Sequence, residues 1–253
     1  MKKYIVCLIS LLFLSPLMAQ EPAQQDSLAL SKDVTKDKSE SSGYYDLKAE
    51  LVSEYLYRGQ QLSSVALQPN FEIGYKGLSF SISGSVGLKP QDPNQIDLTL
   101  AYSFKGFEIS ILDTWMTDNN PIYFDYSEKT AHSYEATASY DFGFLSLSWS
   151  TIFAGLDGVN KAGNRAYTSY FEITAPFHLV GLDWEGTFGA VLYSSDYYKD
   201  SSNGFSVTNL SLKASKEFDL RDNLSLPIYA SLIANPTLKK LWFVLSLALD
   251  LHN

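Results

Sequence analysis

The chain has 253 residues, a formal net charge of −9, and 14% aromatic and 45% hydrophobic residues. An acidic balance excludes the basic footprint that nucleic-acid binding requires. The single cysteine, Cys7, sits close to the N-terminus, so the rest of the chain has no disulfide framework and no cysteine metal site.

Lys2 and Lys3 precede an apolar run from Tyr4 to Leu14, which Ser15-Pro16 breaks, and Leu17-Met18-Ala19 leads to Gln20. This order predicts a cleaved secretory signal peptide over 1–19, the apolar run being short for an uncleaved anchor. Its removal leaves 17 basic against 28 acidic residues, a net charge of −11. Residues 20–43 are polar, charged and poor in large apolar side chains, as a flexible periplasmic linker is.

From Tyr44 onward the chain repeats segments of about ten residues with period-2 alternation, the length a tilted strand needs to cross a bilayer. The first, near 44–58, sets Leu47, Ala49, Leu51, Ser53 and Tyr55 against Lys48, Glu50 and Glu54. The second and third place Phe71, Ile73, Phe80 and Ile82 on one face, with serines opposite the third. The fourth opposes Ile96, Leu98, Leu100 and Tyr102 to Gln95, Asp97 and Thr99. Phe107, Ile109, Ile111 and Trp115 mark the fifth, and His132, Tyr134 and Tyr140 the sixth, opposite Glu135. The seventh to ninth carry Leu147, Trp149, Phe171, Ile173, Trp184 and Phe188. In the tenth, Phe205 and Val207 fall out of phase with Leu210, which predicts a bulge near Thr208-Asn209. The eleventh, with Leu224 to Leu232, contains Pro227, which cannot donate a ladder hydrogen bond and belongs near a rim. Leu241 to Leu251 form the twelfth.

Connections alternate short and long. Short ones fall at Lys76-Gly77, Lys105-Gly106, Phe142-Gly143, His178 to Gly181 and Asp219 to Asn223, and long ones near 59–66, 88–94, 117–130, 155–165 and 194–204. Tyr75, Tyr102, Phe104, Phe107, Tyr140, Phe142 and Phe177 cluster at the short turns; Tyr55, Tyr57, Trp115, Phe153, Tyr167 and Tyr193 cluster at the long loops. Short inner turns, long outer loops and two aromatic girdles predict an all-β fold: a transmembrane antiparallel up-and-down barrel of twelve strands in the outer membrane of a Gram-negative cell. A soluble sandwich or solenoid also alternates but accounts for neither the girdles nor the loop lengths.

The inward face is rich in Ser and Thr. The residues expected to line the interior are Glu50, Glu54, Arg58, Glu72, Asp97, Glu108, Glu135, Glu172, Glu185 and Lys213, with Lys48 beside them. Twelve strands lie between the small barrels that side chains fill and the large ones that hold a water channel. The excess of carboxylates points to a narrow cation-preferring pore; pairing of the acids with Lys48, Arg58 and Lys213 would instead give a plugged interior. Expected partners are outer-membrane lipid, the barrel assembly machinery and small solutes, and no cofactor is expected.

The stretch from Ser53 to Leu88 contains Tyr57-Arg58-Gly59, Ala66-Leu67-Gln68-Pro69 and Phe71 to Tyr75. These elements resemble the TorF family of porin-like proteins. The resemblance implies an outer-membrane porin, with Arg58 at the family's arginine. The ending Leu251-His252-Asn253 departs from the terminal aromatic residue common in outer-membrane barrels.

Catalysis is not expected: His132 and Ser133 are neighbours on a strand and face opposite sides. The acidic runs Asp118-Asn119-Asn120 and Asp196 to Asp200 match no calcium loop. A closed structural or adhesive barrel acting through its loops is the other reading.

Overall fold

The computed structural model describes residues 43–252, apart from 118–121, 128–129 and 199–203. The expected leader, the linker up to residue 42, Asp118-Asn119-Asn120 and Asp200 lie outside the described residues.

The chain forms β1 (Tyr44–Val52), β2 (Tyr55–Tyr57), β3 (Gln60–Ser63), β4 (Ala66–Tyr75), β5 (Leu78–Gly87) and β6 (Asn94–Phe104). It continues with β7 (Phe107–Met116), β8 (His132–Asp141), β9 (Ser146–Gly155), β10 (Ser169–Leu179) and β11 (Leu182–Val191). The remainder is β12 (Ser206–Lys216), β13 (Asp219–Arg221), β14 (Leu224–Ser225), β15 (Ile228–Asn235) and β16 (Lys240–His252).

Twelve of these make a closed antiparallel ring, in the order β1, β4 to β12, β15 and β16, with β16 paired back onto β1. Closure leaves no open edge in the ring. The expected twelve-stranded up-and-down barrel is therefore the fold. Alternation explains it locally: Leu47 and Leu51 on β1, Phe71 and Ile73 on β4, and Ile109 and Ile111 on β7 are exposed on the outside, while Lys48, Glu72 and Glu135 point inward and are buried. The outward set forms an apolar belt, with Tyr75, Tyr102, Phe104, Phe107 and Tyr140 exposed near the short turns.

The short turns follow from backbone chemistry. At Lys76-Gly77, Lys105-Gly106 and Val180-Gly181 both residues have positive φ, the conformation of the two-residue hairpin turn that matches strand twist. Glycine at the second position removes most of the steric cost.

The structure departs from the sequence reading in four places. The first strand ends at Val52, not near residue 58; residues 53–65 leave the wall and fold into a separate hairpin, β2–β3. Tyr55 is consequently buried against Val52 and Ala66, with Tyr57 and Leu62 packed beside it, and the two tyrosines are not girdle residues. Trp115 faces outward as expected but is covered, its ring 5.3 Å from that of Tyr123 in the following loop. The eleventh strand is interrupted at Leu226-Pro227: β15 starts at Ile228, and Leu224-Ser225 of β14 pair with β16 in the same register while also pairing with β13 in a short hairpin. Pro227 lies within the wall and not at the rim as expected: its carbonyl accepts the Ala248 N–H at 2.9 Å, and Ser225 still pairs with Asp250 beyond it.

The bulge near Thr208 is present. Asn209 pairs with Gly189 and Val207 with Ala190, so Thr208 is the extra residue.

Candidate functional site

The interior is organised around the β2–β3 hairpin. Its turn is Arg58-Gly59, with φ values of 51° and 75°, the same turn chemistry as the short connections of the wall. The hairpin folds inward from β1 and its tip reaches the opposite wall. Asn235 Nδ2, at the end of β15, donates to the Gly59 carbonyl at 2.9 Å. A Cβ on Gly59 would lie 1.8 Å from the Thr208 carbonyl oxygen, so only glycine permits this approach.

Arg58 provides the strongest attachment. Its Nη1 and Nη2 each donate to one Glu135 carboxylate oxygen at 2.7 Å. Nη1 also donates to the Tyr198 hydroxyl at 3.1 Å, and Nη2 to Ser150 Oγ at 3.0 Å. The guanidinium lies 4.4 Å from the Tyr170 ring centroid and 4.8 Å from that of Tyr57. A planar fork meeting a carboxylate on two bonds while its faces rest on aromatic rings uses every recognition mode that arginine has. In the outer loop, burial pushes the Tyr197 phenol up to about 12, and the Tyr198 phenol higher for the same reason. Both hydroxyls stay protonated over the physiological range.

Below the hairpin a second group of charges lies on the wall made by β11, β12, β15, β16 and β1. Lys48 Nζ is 3.4 Å from Glu50 Oε2, and Lys213 Nζ is 3.4 Å from Glu185 Oε1. Both ammonium groups flank the Tyr229 ring, at 5.1 Å and 5.6 Å from its centroid. Across the interior, Tyr44 donates to Glu72, and Ser103 Oγ to Glu108 Oε2 at 2.5 Å. Tyr170 donates to Glu172 at 2.8 Å, and Gln95 Nε2 to Asp97 Oδ2 at 2.7 Å.

The strand positions among the expected lining residues, Glu50, Glu72, Asp97, Glu108, Glu135, Glu172, Glu185 and Lys213, all point into the barrel. Glu54 lies between β1 and β2, and Arg58 at the hairpin tip, so neither is on the wall. The structure brings together Arg58 with Glu135, and Lys213 with Glu185; it does not gather the acids into one ring. Sequence reasoning missed Tyr170, Tyr198 and Ser150, which come from β9, β10 and an outer loop. Only Tyr57 beside Arg58 carried a local signal.

A second cluster lies outside the barrel, at its outer rim. His132 is fully buried, with Nδ1 2.7 Å from Asp113 Oδ1 and Nε2 2.6 Å from the Tyr123 carbonyl oxygen. The Tyr123 and Tyr126 rings lie 5.0 Å and 4.9 Å from it. Nδ1 thus ties the ring to β7, and Nε2 pins segment 122–126 against β7 and β8. Replacing His132 by alanine will release this segment. Chymotrypsin should then cut at Tyr123 to Tyr126 several-fold faster than in the unmodified protein, with the barrel itself staying intact.

No known family profile matches the chain, and no curated protein matches it. Among solved structures it is similar to the KdgM porin, at 8% identity over 82% of this chain and 98% of that one, with a TM-score of 0.42. It is also similar to the NanC porin, at 10% identity over 81% and 97%, with a TM-score of 0.44. A third is the CymD monoaromatic hydrocarbon channel, at 7% identity over 83% and 88%, with a TM-score of 0.40.

Proposed function

We propose that the chain is an outer-membrane channel for small solutes, cation-preferring and narrowed at its outer end by the β2–β3 hairpin. One observation carries this reading: a closed ring with an apolar exterior encloses a face of hydroxyls and carboxylates. Glu50, Glu54, Glu72, Asp97, Glu108, Glu135, Glu172, Asp183 and Glu185 outnumber the bases Lys48, Arg58, Lys213 and Lys240 on the face expected to point inward. A dry interior would not keep such an excess of acids, since an uncompensated buried charge costs several kcal/mol. On β4, β5 and β6, polar atoms of Asn70, Ser81, Ser85, Asp97 and Thr99 are turned inward with no protein partner among the described residues. These atoms are buried, and waters bound inside the barrel would satisfy them. The resemblance of Tyr57-Arg58-Gly59 and Ala66-Leu67-Gln68-Pro69 to the TorF family agrees with this reading.

On this reading the apolar belt contacts outer-membrane lipid, and the barrel assembly machinery inserts the chain after the leader over 1–19 is removed. The residues turned inward, Asp97 and Glu172 among them, line the path.

The test is reconstitution in a planar bilayer under a potassium chloride gradient. Discrete conductance steps and a reversal potential displaced toward the potassium equilibrium potential are expected. A displacement toward chloride would refute the cation preference. A silent bilayer would favour the second reading, a closed structural or adhesive barrel, for which the tied outer loops speak: Thr168 Oγ1 and Ser195 Oγ lie 2.6 Å apart, joining two of them.

A further inference from the structure

We propose that the cage holding the Arg58 guanidinium is a recognition site for organic cations, guanidinium compounds and primary amines, and that Arg58 is its built-in competitor. The proposal rests on the channel reading only in placing the cage on a solute's route; binding itself can be measured apart from conduction.

The cage separates into two parts by origin. Tyr57 arrives with the hairpin. Glu135 on β8, Ser150 on β9, Tyr170 on β10 and Tyr198 in the outer loop belong to the wall and its rim. If the hairpin tip withdraws, a carboxylate, a hydroxyl and two tyrosines remain in place around the vacated position.

Ser150, Tyr170 and Tyr198 are held by contacts that do not involve Arg58, and Glu135 is fixed by its place in the β8 ladder. Ser150 Oγ lies 2.8 Å from Thr137 Oγ1. The Tyr170 hydroxyl donates to Glu172 Oε2 at 2.8 Å. The Tyr170 and Tyr198 rings stack at 5.9 Å with 16° between their planes, and Tyr197 packs edge-on against Tyr198 at 5.4 Å. Tyr170 packs in turn with Val191 in a buried cluster. The hydroxyl and aromatic part of the wall half is therefore preorganised, and preorganisation is what lets a site bind without paying for order at the moment of binding.

Its chemistry is selective. A carboxylate offering two oxygens to parallel N–H groups selects a guanidinium or an amine over a neutral solute. Aromatic faces attract a weakly hydrated organic cation and give less to a strongly hydrated potassium ion. A salt bridge whose only task was to fix a hairpin would need the carboxylate; it would not need two aromatic rings within 5 Å of the guanidinium and a phenol and a hydroxyl on its remaining terminal N–H groups.

A tethered occupant competes at an effective concentration on the order of millimolar. An external cation therefore meets an occupied site in the unmodified protein and an empty one when the tether fails to seat. The geometry offers two independent ways to empty the cage. Arg58→Ala removes the occupant. Gly59→Ala leaves the arginine but drives a Cβ into the Thr208 carbonyl, so the tip cannot dock.

The test is calorimetric titration of the full-length protein, refolded in detergent, with methylguanidinium chloride, potassium chloride at equal ionic strength being the control. Heat-modifiable gel mobility confirms a folded barrel for each variant. Saturable binding at least tenfold tighter in Arg58→Ala and Gly59→Ala than in the unmodified chain is expected, and loss of that binding when Glu135→Gln is added. Binding no tighter in either variant, or unchanged by Glu135→Gln, would overturn the proposal. Binding with a silent bilayer would leave the cage standing and remove the channel; conductance without binding would do the reverse.

Discussion

On the channel reading, Arg58→Ala will raise single-channel conductance several-fold and abolish most of the rectification that an asymmetric constriction would impose. The substitution removes both 2.7 Å bonds to Glu135, the contacts to Tyr198 and Ser150, and the stacking on Tyr170. Breaking a buried pair by deleting one partner costs about 3–5 kcal/mol, mostly through the charge left behind. Here that cost acts on the hairpin more than on the barrel. A tip that no longer docks can move aside, and Glu135 then gains water. The remaining tip contact, Asn235 to the Gly59 carbonyl, is a neutral hydrogen bond contributing about 1 kcal/mol. It cannot hold the tip alone, and the packing of Tyr55 and Leu62 against Val52 and Ala66 anchors the base of the hairpin. Arg58→Lys keeps a cation but loses the fork and the flat stacking surface, so its conductance should fall between the two. An Arg58→Ala channel as narrow as the parent would show that the hairpin is not the constriction.

The second large effect concerns the exterior. Leu100 is half exposed near the middle of β6, across from Phe80 on β5 and Ile111 on β7, both on the same outer face. Leu100→Arg should destabilise the folded barrel in lipid vesicles by about 2–4 kcal/mol, the cost of an arginine at the bilayer midplane. Urea titration followed by tryptophan fluorescence measures it. Leu100→Ala should cost far less, because the position keeps an apolar group against lipid. Equal stability of Leu100→Arg and the parent chain would mean that this face does not meet hydrocarbon.

The wall of the barrel is legible in the sequence because its information is local. Period-2 alternation fixes which residues point out, and dipeptides such as Lys76-Gly77 and Lys105-Gly106 fix where the chain reverses. The phase break at Thr208 carries its position on its face; Pro227 marks a break in the ladder but not its depth in the wall. The hairpin escapes for a subtle reason. Ser53, Tyr55 and Tyr57 continue the alternation of β1 without a break, so the strand reads as running to Arg58. Yet Arg58-Gly59 is the same kind of turn as the other X-Gly pairs, and the Tyr-Leu-Tyr and Gln-Gln-Leu segments around it form its two arms. What no local pattern supplies is direction, whether a hairpin at the rim stands in water or folds inward. Here long-range partners decide: Glu135, Tyr170 and Tyr198 are far from Arg58 in sequence. The same limit explains Trp115, whose outward position is set by parity but whose cover by Tyr123 is not.

The ring closes between β1 and β16, over the register from Asp46 opposite His252 to Val52 opposite Ser246. The hairpin departs immediately beyond that register, and Ser53 still bonds to β16 through its own N–H to the Leu245 carbonyl at 2.9 Å and its hydroxyl to the Leu245 N–H at 3.0 Å. The segment that fills the mouth is thus rooted in the zipper line of the barrel. Once the zipper is shut, a pull on the tip is borne by the barrel's own seam.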